Sequence, residues 1–330
     1  MKKIFLLFGL GITIACGGQP SGSLVVVNKA DHAVSLIDLK LGKIVATIPV
    51  EYGPHEVAIS PSGNIAAVTN YGDGAKVSNS LTIINIPEKK KITTIDLGEY
   101  RQPHGAEFIN EKEVLITCES KSRLLLADLS TGSITEVANT AQMGSHMVAY
   151  SVTDKTAYVA NVFSGTVSVI DVPARKLTTV INFKAGIEGL AVSPDGKELW
   201  VANRNDSNVT VVNTTTRDVL AVLPAHQVAF RVKFLANGSH VLVSNGMSGN
   251  VSIYDAKARK WLRDIDVASN DGQPVPVGLT ADIHNRYAYV CLAGYNEVAE
   301  LDTGNWSVSR RIATGNEPDG IYFSPVSIKE

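Results

Sequence analysis

Three histidines stand in similar local sequences, each just before an apolar stretch. They are His55 in GPHEVAIS (53–60), His104 in QPHGAEFI (102–109) and His146 in GSHMVAYS (144–151). An imidazole can accept or donate a proton near neutral pH, and its neutral form is a common ligand of zinc and copper. Similar surroundings suggest equivalent places in a repeated structure. The three rings are therefore candidates for one acid-base or metal-binding site, if the elements that carry them bring them together.

A repeated apolar run identifies those elements. Measured from the last residue of each run, the copies lie 42, 48, 43, 42, 42 and 47 positions apart. A period in the low forties, built from short apolar runs and turns, is typical of the four-stranded blades of a β-propeller. The sequence therefore predicts an all-β protein with seven four-stranded antiparallel blades. The copies are LVVVN (24–28), AAVTN (66–70), VLITC (114–118), AYVAN (157–161), LWVAN (199–203), VLVSN (241–245) and AYVCL (288–292).

The two ends of the chain indicate how the ring closes. No inner strand precedes LVVVN, while PDGIYFSPV (318–326) follows the last unit without a partner. We expect Gly320 to Ser324 to supply the inner strand of the first blade, and residues 24–50 its other three strands. Pairing of the N- and C-terminal strands would leave no exposed inner edge.

Two segments carry a resemblance to a known family. AYVANVFSGTVSVIDVPARKLTTVI (157–181) and VSPDGKELWVANRNDSNVTVVN (192–213) resemble YVTN-type repeat proteins, and the likeness extends over residues 24–326. The resemblance implies a seven-bladed propeller in an extracytoplasmic setting. It leaves the activity open, because the family includes binding proteins and lies near propeller enzymes of several chemistries.

The propeller model places the histidines at one end of the central channel. In an antiparallel blade, the loop that enters the inner strand and the loop between the second and third strands open on the same face, here called the top. Residues just before the inner strands would ring the top mouth of the channel. We predict a ligand site there that also includes Arg231 on the sixth inner strand. From the second blade onwards, the ring residues are His55, His104, His146, Glu188, Phe230, Val277 and Asp319.

Two interpretations of this mouth stay open. If His55, His104 and His146 converge on one point they could hold zinc or copper, although no local motif such as H-x-x-x-H specifies a metal. Alternatively, each histidine only bonds a neighbouring backbone group, and Arg231 and Lys233 pair with Glu107 or Glu188. The long segments 71–80, 98–103 and 268–277 open on the same face and are expected to be recognition loops.

The N-terminus has the pattern of an export signal. Lys2 and Lys3 precede an apolar segment from Ile4 to Ala15, which is too short to span a membrane, and Cys16 follows a small residue. This resembles a bacterial lipoprotein precursor, with residues 1–15 as signal peptide, Cys16 as the lipid-bearing residue and residues 16–23 as a flexible tether. Thr13 departs from the usual lipoprotein pattern, so ordinary secretion is the alternative. The protein is expected in the cell envelope, in the periplasm or at the outer membrane, held by its lipid anchor only.

Composition and the absence of certain motifs reduce the range of possible functions. The net charge of -2 gives no reason to expect nucleic-acid binding. Cys118 and Cys291 form no C-x-x-C pair and are expected to pack as small apolar residues. We expect residues 24–330 to form one monomeric propeller that binds a small molecule, metal, glycan or envelope protein. The alternative is a lactonase- or lyase-like enzyme in which a mouth histidine acts as base beside Glu188 or Asp319.

Overall fold

The computed structural model describes residues 20–269 and 272–328. Twenty-eight strands in this part of the chain form seven separate four-stranded antiparallel sheets, the blades. Short apolar runs separated by turns of Gly, Asp, Asn and Ser produce this pattern, because each run pairs with the next through a tight connection. A 3₁₀ turn, Glu119–Lys121, follows one of the second strands.

The strands occupy four equivalent positions in each blade. The inner strands are β4 (Pro54–Ile59), β8 (Pro103–Phe108), β12 (Ser145–Ser151), β16 (Ile187–Val192), β20 (Ala229–Phe234), β24 (Pro276–Ala281) and β28 (Pro318–Ser324). The second strands are β1 (Ser23–Asn28), β5 (Ile65–Gly72), β9 (Glu113–Cys118), β13 (Thr156–Asn161), β17 (Glu198–Asn203), β21 (His240–Asn245) and β25 (Tyr287–Leu292). The third strands are β2 (Ala33–Asp38), β6 (Val77–Asn85), β10 (Arg123–Asp128), β14 (Thr166–Asp171), β18 (Asn208–Asn213), β22 (Asn250–Asp255) and β26 (Glu297–Asp302). The outer strands are β3 (Lys43–Pro49), β7 (Lys90–Asp96), β11 (Ser133–Asn139), β15 (Lys176–Asn182), β19 (Val219–Pro224), β23 (Lys260–Asp266) and β27 (Ser307–Ala313).

The first blade is assembled from both ends of the chain, in the order β28-β1-β2-β3. Strand β28 pairs with β1 so that Ser324 lies opposite Ser23 and Phe323 opposite Leu24. The predicted seven-bladed all-β propeller, with its ring closed by the terminal strands, is therefore confirmed. Strand β1 begins at Ser23, so the propeller starts one residue before the predicted residue 24. The predicted signal peptide and Cys16 lie outside the described residues.

The apolar core lies between the blades. Second strands are buried on both faces, so that Val25 and Val27 pack toward Val57 and Val68 of the second blade. On the other face, Leu24 and Val26 belong to a cluster shared with the seventh blade. As predicted, Cys118 and Cys291 are buried and unpaired. Within the described part of the chain, no helix combines the length and apolar character needed to cross a membrane.

The structure corrects the expectation for residues 71–80. We predicted a polar loop, but β5 continues to Gly72 and pairs with Val77 of β6, so that only residues 73–76 form the turn. The segment is an extended hairpin because Asp73 accepts hydrogen bonds from the amides of Ala75 and Lys76 and closes the turn. It therefore holds Tyr71 in a fixed place above the channel.

Adjacent inner strands approach one another closely because at least one strand of each neighbouring pair has glycine as its third residue. The third residue of the inner strand is glycine in the first, third, fifth and seventh blades and a large residue in the other three. A Cβ on Gly320 would lie only 2.5 Å from the carbonyl oxygen of His55 in the next blade. The glycines are Gly320, Gly105, Gly189 and Gly278, and the large residues are Glu56, Met147 and Arg231.

We expect Gly320→Ala to destabilise the propeller by about 1–3 kcal/mol, because the added carbon overlaps the neighbouring backbone at the ring closure. Gly74→Ala is the matched control, since no atom lies within 4 Å of a Cβ at Gly74. Urea unfolding of both variants measures the difference. Equal stabilities would contradict the close approach of β28 and β4.

Candidate functional site

All seven inner strands carry a β-bulge at their second and third residues. In β4, Pro54 lies opposite Asn70 and Val57 opposite Val68, so that His55 and Glu56 together face a single residue of β5. A bulge of this kind changes the direction of the side chains and interrupts their regular alternation between the two faces of the sheet. The ring residues predicted to precede the inner strands are therefore their second residues, and the third residues also reach the channel.

Hydroxyl groups of the second strands fill the bulges and fix the histidine backbone. The Thr69 hydroxyl donates a hydrogen bond of 2.7 Å to the carbonyl oxygen of His104 in the next blade, and it accepts one from the Glu56 amide at 3.1 Å. The Thr117 hydroxyl donates in the same way to the carbonyl oxygen of His146. Each of these two histidines is thus positioned by the blade before it.

The three predicted histidines form a stacked column at the mouth. The ring centroids of His55 and His104 are 4.2 Å apart, and those of His104 and His146 are 3.6 Å apart. His104, in the middle, is only 1% exposed. Neither of its ring nitrogens has a hydrogen-bond partner among the residues that the structure describes. Buried polar atoms without a hydrogen-bond partner are rare in folded proteins, and each one requires an explanation such as a bound ligand or a functional role.

His146 is held between two carboxylates. Its Nδ1 lies 2.5 Å from Oε1 of Glu119, and its Nε2 lies 2.7 Å from Oε1 of Glu188. Burial alone would lower the pKa of His146, but the two carboxylates outweigh burial and raise that pKa to about 9. His146 is therefore an imidazolium that donates both of its N–H groups.

His55, at the other end of the column, is in the opposite charge state. Its Nδ1 lies 3.1 Å from Asp319 Oδ2, and its Nε2 lies 3.4 Å from Nζ of Lys29. Burial lowers the pKa of His55 to about 4, in spite of the attraction of Asp319, and the Lys29 ammonium lowers it further. His55 is thus neutral at physiological pH, with one ring nitrogen that carries a proton and one that can accept a proton or a hydrogen bond.

Arg231 crosses the channel one level below the histidines. Its guanidinium forms an ion pair with Glu56 from the opposite side of the ring, and its Nη1 lies 3.6 Å from Oε1 of Glu188. Pairing of Arg231 with Glu188 was one of the predicted possibilities, whereas Glu56 was not considered as a partner. The attraction of Glu56 and Glu188 outweighs burial and raises the pKa of Arg231 above its ordinary value. Arg231 therefore closes the channel rather than standing free for a ligand.

Two groups of side chains could hold a metal ion, and both contain His104. Within the described residues, ligand atoms of His104, Glu119 and His146 all lie within 4.8 Å of one another, and so do those of His55, Glu56 and His104. The predicted set of three histidines does not appear as one group. The rings follow one another along the mouth, tilted by 46° and 35° to their neighbours, and Nε2 of His146 is directed at Glu188 instead of at the other two histidines.

The sequence pattern did not point to Glu119, and it included Tyr71 only as part of the segment 71–80. Glu119 begins the 3₁₀ turn after β9, and the Tyr71 hydroxyl donates a hydrogen bond of 2.6 Å to its Oε2. Both residues stand where a second strand gives way to the connection with the third strand, on the top face: Tyr71 is the second-last residue of β5, and Glu119 directly follows β9. A search of these connections for polar residues next to the mouth would have found them.

The polar residues cover one side of the mouth. Asp319, His55, His104, His146 and Glu188 come from five consecutive blades, whereas Phe230 and Val277 complete the ring with apolar side chains. Beside Glu119, a surface groove of about 390 Å³ runs past Tyr71, Gln102, Met143 and Phe163. Glu119 is therefore shared between this groove and the contact with His146.

His146→Gln should destabilise the metal-free protein by about 1–3 kcal/mol, because buried Glu119 loses its only cationic partner among the described residues, whereas Glu188 keeps Arg204 at 2.8 Å. His226→Gln is the control. His226 pairs with Asp264 at 2.8 Å, but its side chain is 41% exposed, so that its loss should cost at most about 1 kcal/mol. Thermal and urea unfolding measure both values. A smaller loss for His146→Gln than for His226→Gln would contradict the assigned charges.

Comparisons with known proteins agree on the architecture. A family model described as "Lactonase, 7-bladed beta-propeller" matches residues 127–277, a little under half of the chain. A functionally unknown protein from Desulfotomaculum acetoxidans DSM 771 is similar in structure, with a TM-score of 0.76, 12% identity, and coverage of 92% of this chain and 99% of that protein. Dihydro-heme d1 dehydrogenase NirN, solved in complex with DHE, gives a TM-score of 0.61 and 17% identity, with 88% of this chain and 63% of NirN covered. No curated protein matches. The segment 127–277 is therefore similar to the seven-bladed propeller family of that model, and the overall fold is similar to those of the two solved structures.

Proposed function

We propose that this protein is an exported binding propeller that holds one zinc or copper ion at the top mouth of its channel. His104, His146 and Glu119 are the proposed ligands. The observation that carries the proposal is the pair of buried ring nitrogens on His104, which lack partners among the described residues and lie beside a second histidine and a carboxylate. Imidazole and carboxylate together suit zinc and copper.

The surroundings of His146 and Glu119 favour this group over the one formed by His55, Glu56 and His104. A metal-ligating histidine usually donates its second N–H to a carboxylate, and Glu188 is in that position at Nε2 of His146. The free oxygen of Glu119 is likewise held by Tyr71. A metal ion would take the place of the proton between His146 Nδ1 and Glu119 Oε1.

In the alternative group, positive charges oppose metal binding. Nζ of Lys29 lies 3.4 Å from Nε2 of His55, and Glu56 is already paired with Arg231. A cation added there would be repelled by Lys29 and would compete with the guanidinium for Glu56. We therefore assign His55 to the surroundings of the metal rather than to its ligands.

With three protein ligands, the metal ion would keep one coordination position open for a further group. Zinc sites with three protein ligands generally keep the fourth position for water or substrate. The groove contains Glu119 of the proposed ligands and exposes the apolar side chains of Met143 and Phe163. A small molecule that has a metal-binding oxygen or nitrogen and an apolar part fits both features.

Metal-assisted lactone hydrolysis is a second candidate, favoured by the match to the lactonase family model. The matched residues 127–277 include His146, Glu188 and Arg231. A metal ion with an open position polarises a carbonyl group and lowers the pKa of bound water. Neutral His55, oriented by Asp319, could accept the proton of the attacking water. Hydrolysis of a panel of lactones by the metal-loaded protein tests this activity, and its absence would leave the binding function alone.

The metal-free protein should bind one equivalent of zinc or copper in a calorimetric titration. His104→Ala and Glu119→Gln should each weaken binding by at least about 100-fold, and Glu188→Gln by about 10–100-fold, because Glu188 orients a ligand. His240→Ala is the control, since this histidine contacts Ser239 and Trp306 away from the mouth. Unchanged affinity in His104→Ala would contradict the proposed site.

We also propose that the protein is attached to a bacterial membrane through Cys16, as the lipoprotein-like sequence of residues 1–16 suggests. Cys16→Ser should then move the protein from the membrane fraction into the soluble fraction or leave the precursor unprocessed. Fractionation of cells that express both forms measures the change. Wild-type protein found only in the soluble fraction would contradict the anchor.

A further inference from the structure

A second cavity lies at the opposite end of the channel. Below the ion pair of Arg231 and Glu56, the channel widens into a space of about 360 Å³. It opens on the bottom face between turns that contain Pro194, Ala236 and Ile283. The ion pair forms the upper end of this space, so the cavity is separate from the proposed metal site.

The wall of the cavity is mainly apolar and is built from the last three residues of the inner strands. Small residues such as Ala149 and Ala191 leave the central space, while Leu190, Leu279 and Phe234 line its sides. Concave apolar walls with a few polar groups are typical of sites for small molecules.

Three polar side chains from different blades meet in this wall: Glu107, Lys233 and Tyr322. Nζ of Lys233 lies over the ring of Tyr322, 4.6 Å from its centroid. In the described part of the chain, neither Lys233 nor Glu107 forms an ion pair with an opposite charge within 4.0 Å. The pairing of Lys233 with Glu107 that the sequence suggested is therefore not a direct one.

The protonation states of these groups leave positive charge in the cavity. Burial would lower the pKa of Lys233, but Tyr322 and Glu107 outweigh it and raise that pKa, so the ammonium stays charged. Burial raises the pKa of Glu107 to about 7, against the attraction of Lys233. Near neutral pH, a fraction of Glu107 is protonated and can donate a hydrogen bond.

We propose that the lower cavity binds a small organic carboxylate with a compact apolar or aromatic body. The carboxylate pairs with the Lys233 ammonium, and the apolar body packs against the alanine and leucine side chains of the wall. An unpaired charge inside an apolar cavity raises the free energy of the folded protein. An anionic ligand would lower that free energy by pairing with the Lys233 ammonium. Protonated Glu107 donates to a carboxylate oxygen or to another acceptor on the ligand.

The charge of the ligand can be tested with three molecules of nearly equal size: benzoate, benzamide and benzylamine. Isothermal titration of the full-length protein should show binding of benzoate at concentrations on the order of 10 mM or below, and at least about 10-fold weaker binding of the other two. Benzamide as tight as benzoate, tighter benzylamine, or no benzoate binding would each overturn the proposal.

The position of the site can be tested with matched lysine variants. Lys233→Met should weaken benzoate binding by about 10-fold or more, and it should fold at least as well as the wild type because a buried charge is removed. Lys197→Met is the control, since Lys197 lies on the same face with a side chain that is 77% exposed. Equal losses in the two variants would overturn the proposal by indicating general surface attraction.

The metal site provides an independent comparison. His104→Ala should retain benzoate binding, and Lys233→Met should retain zinc or copper binding, because the ion pair of Arg231 and Glu56 separates the two sites. Loss of benzoate binding in His104→Ala would overturn the separate lower site without deciding whether the upper site binds metal.

Discussion

A chain of buried ionic contacts organises both ends of the channel. Glu56 pairs with Arg231 across the ring, Arg231 approaches Glu188, and Glu188 and Glu119 enclose His146. The last link, from Glu119 to Tyr71, returns to the blade that carries Glu56. Buried charges of this kind are costly when a partner is lost, so the chain imposes one arrangement on five of the seven blades. It fixes the imidazolium of His146, closes the channel and leaves His104 without a partner in the described structure.

The bulges make this chain possible. In a regular strand the side chains of His55 and Glu56 would point to opposite faces of the sheet, so that only one of them could point into the channel. The bulge brings both residues toward the axis, and the glycines that alternate with the large third residues leave room for Glu56 and Arg231 to meet. The same backbone irregularity therefore supplies the ion pair that separates the mouth from the lower cavity.

Much of the fold was predictable because it depends on local patterns that repeat. The spacing of the apolar runs predicted seven blades, and the missing inner strand before LVVVN predicted the pairing of β28 with β1. The top mouth was also predictable in outline, since His55, His104 and His146 occupy equivalent positions. Their stacking was not, because ring orientation depends on partners that are distant in sequence. Glu119 and Glu56 were missed for the same reason: one acts from a connection in the third blade, and the other reaches the channel only through the bulge.

The proposed metal site depends on His104, whose ring nitrogens have no partner among the described residues and lie beside His146 and Glu119. The most direct measurement is a crystal structure of the zinc-loaded protein with anomalous diffraction data collected at the zinc edge. We predict one strong peak at the top mouth, within about 2.0–2.2 Å of a ring nitrogen of His104, of His146 Nδ1 and of a Glu119 oxygen. A mouth without a peak, or a zinc ion bound elsewhere while the His146–Glu119 contact stays intact, would contradict it.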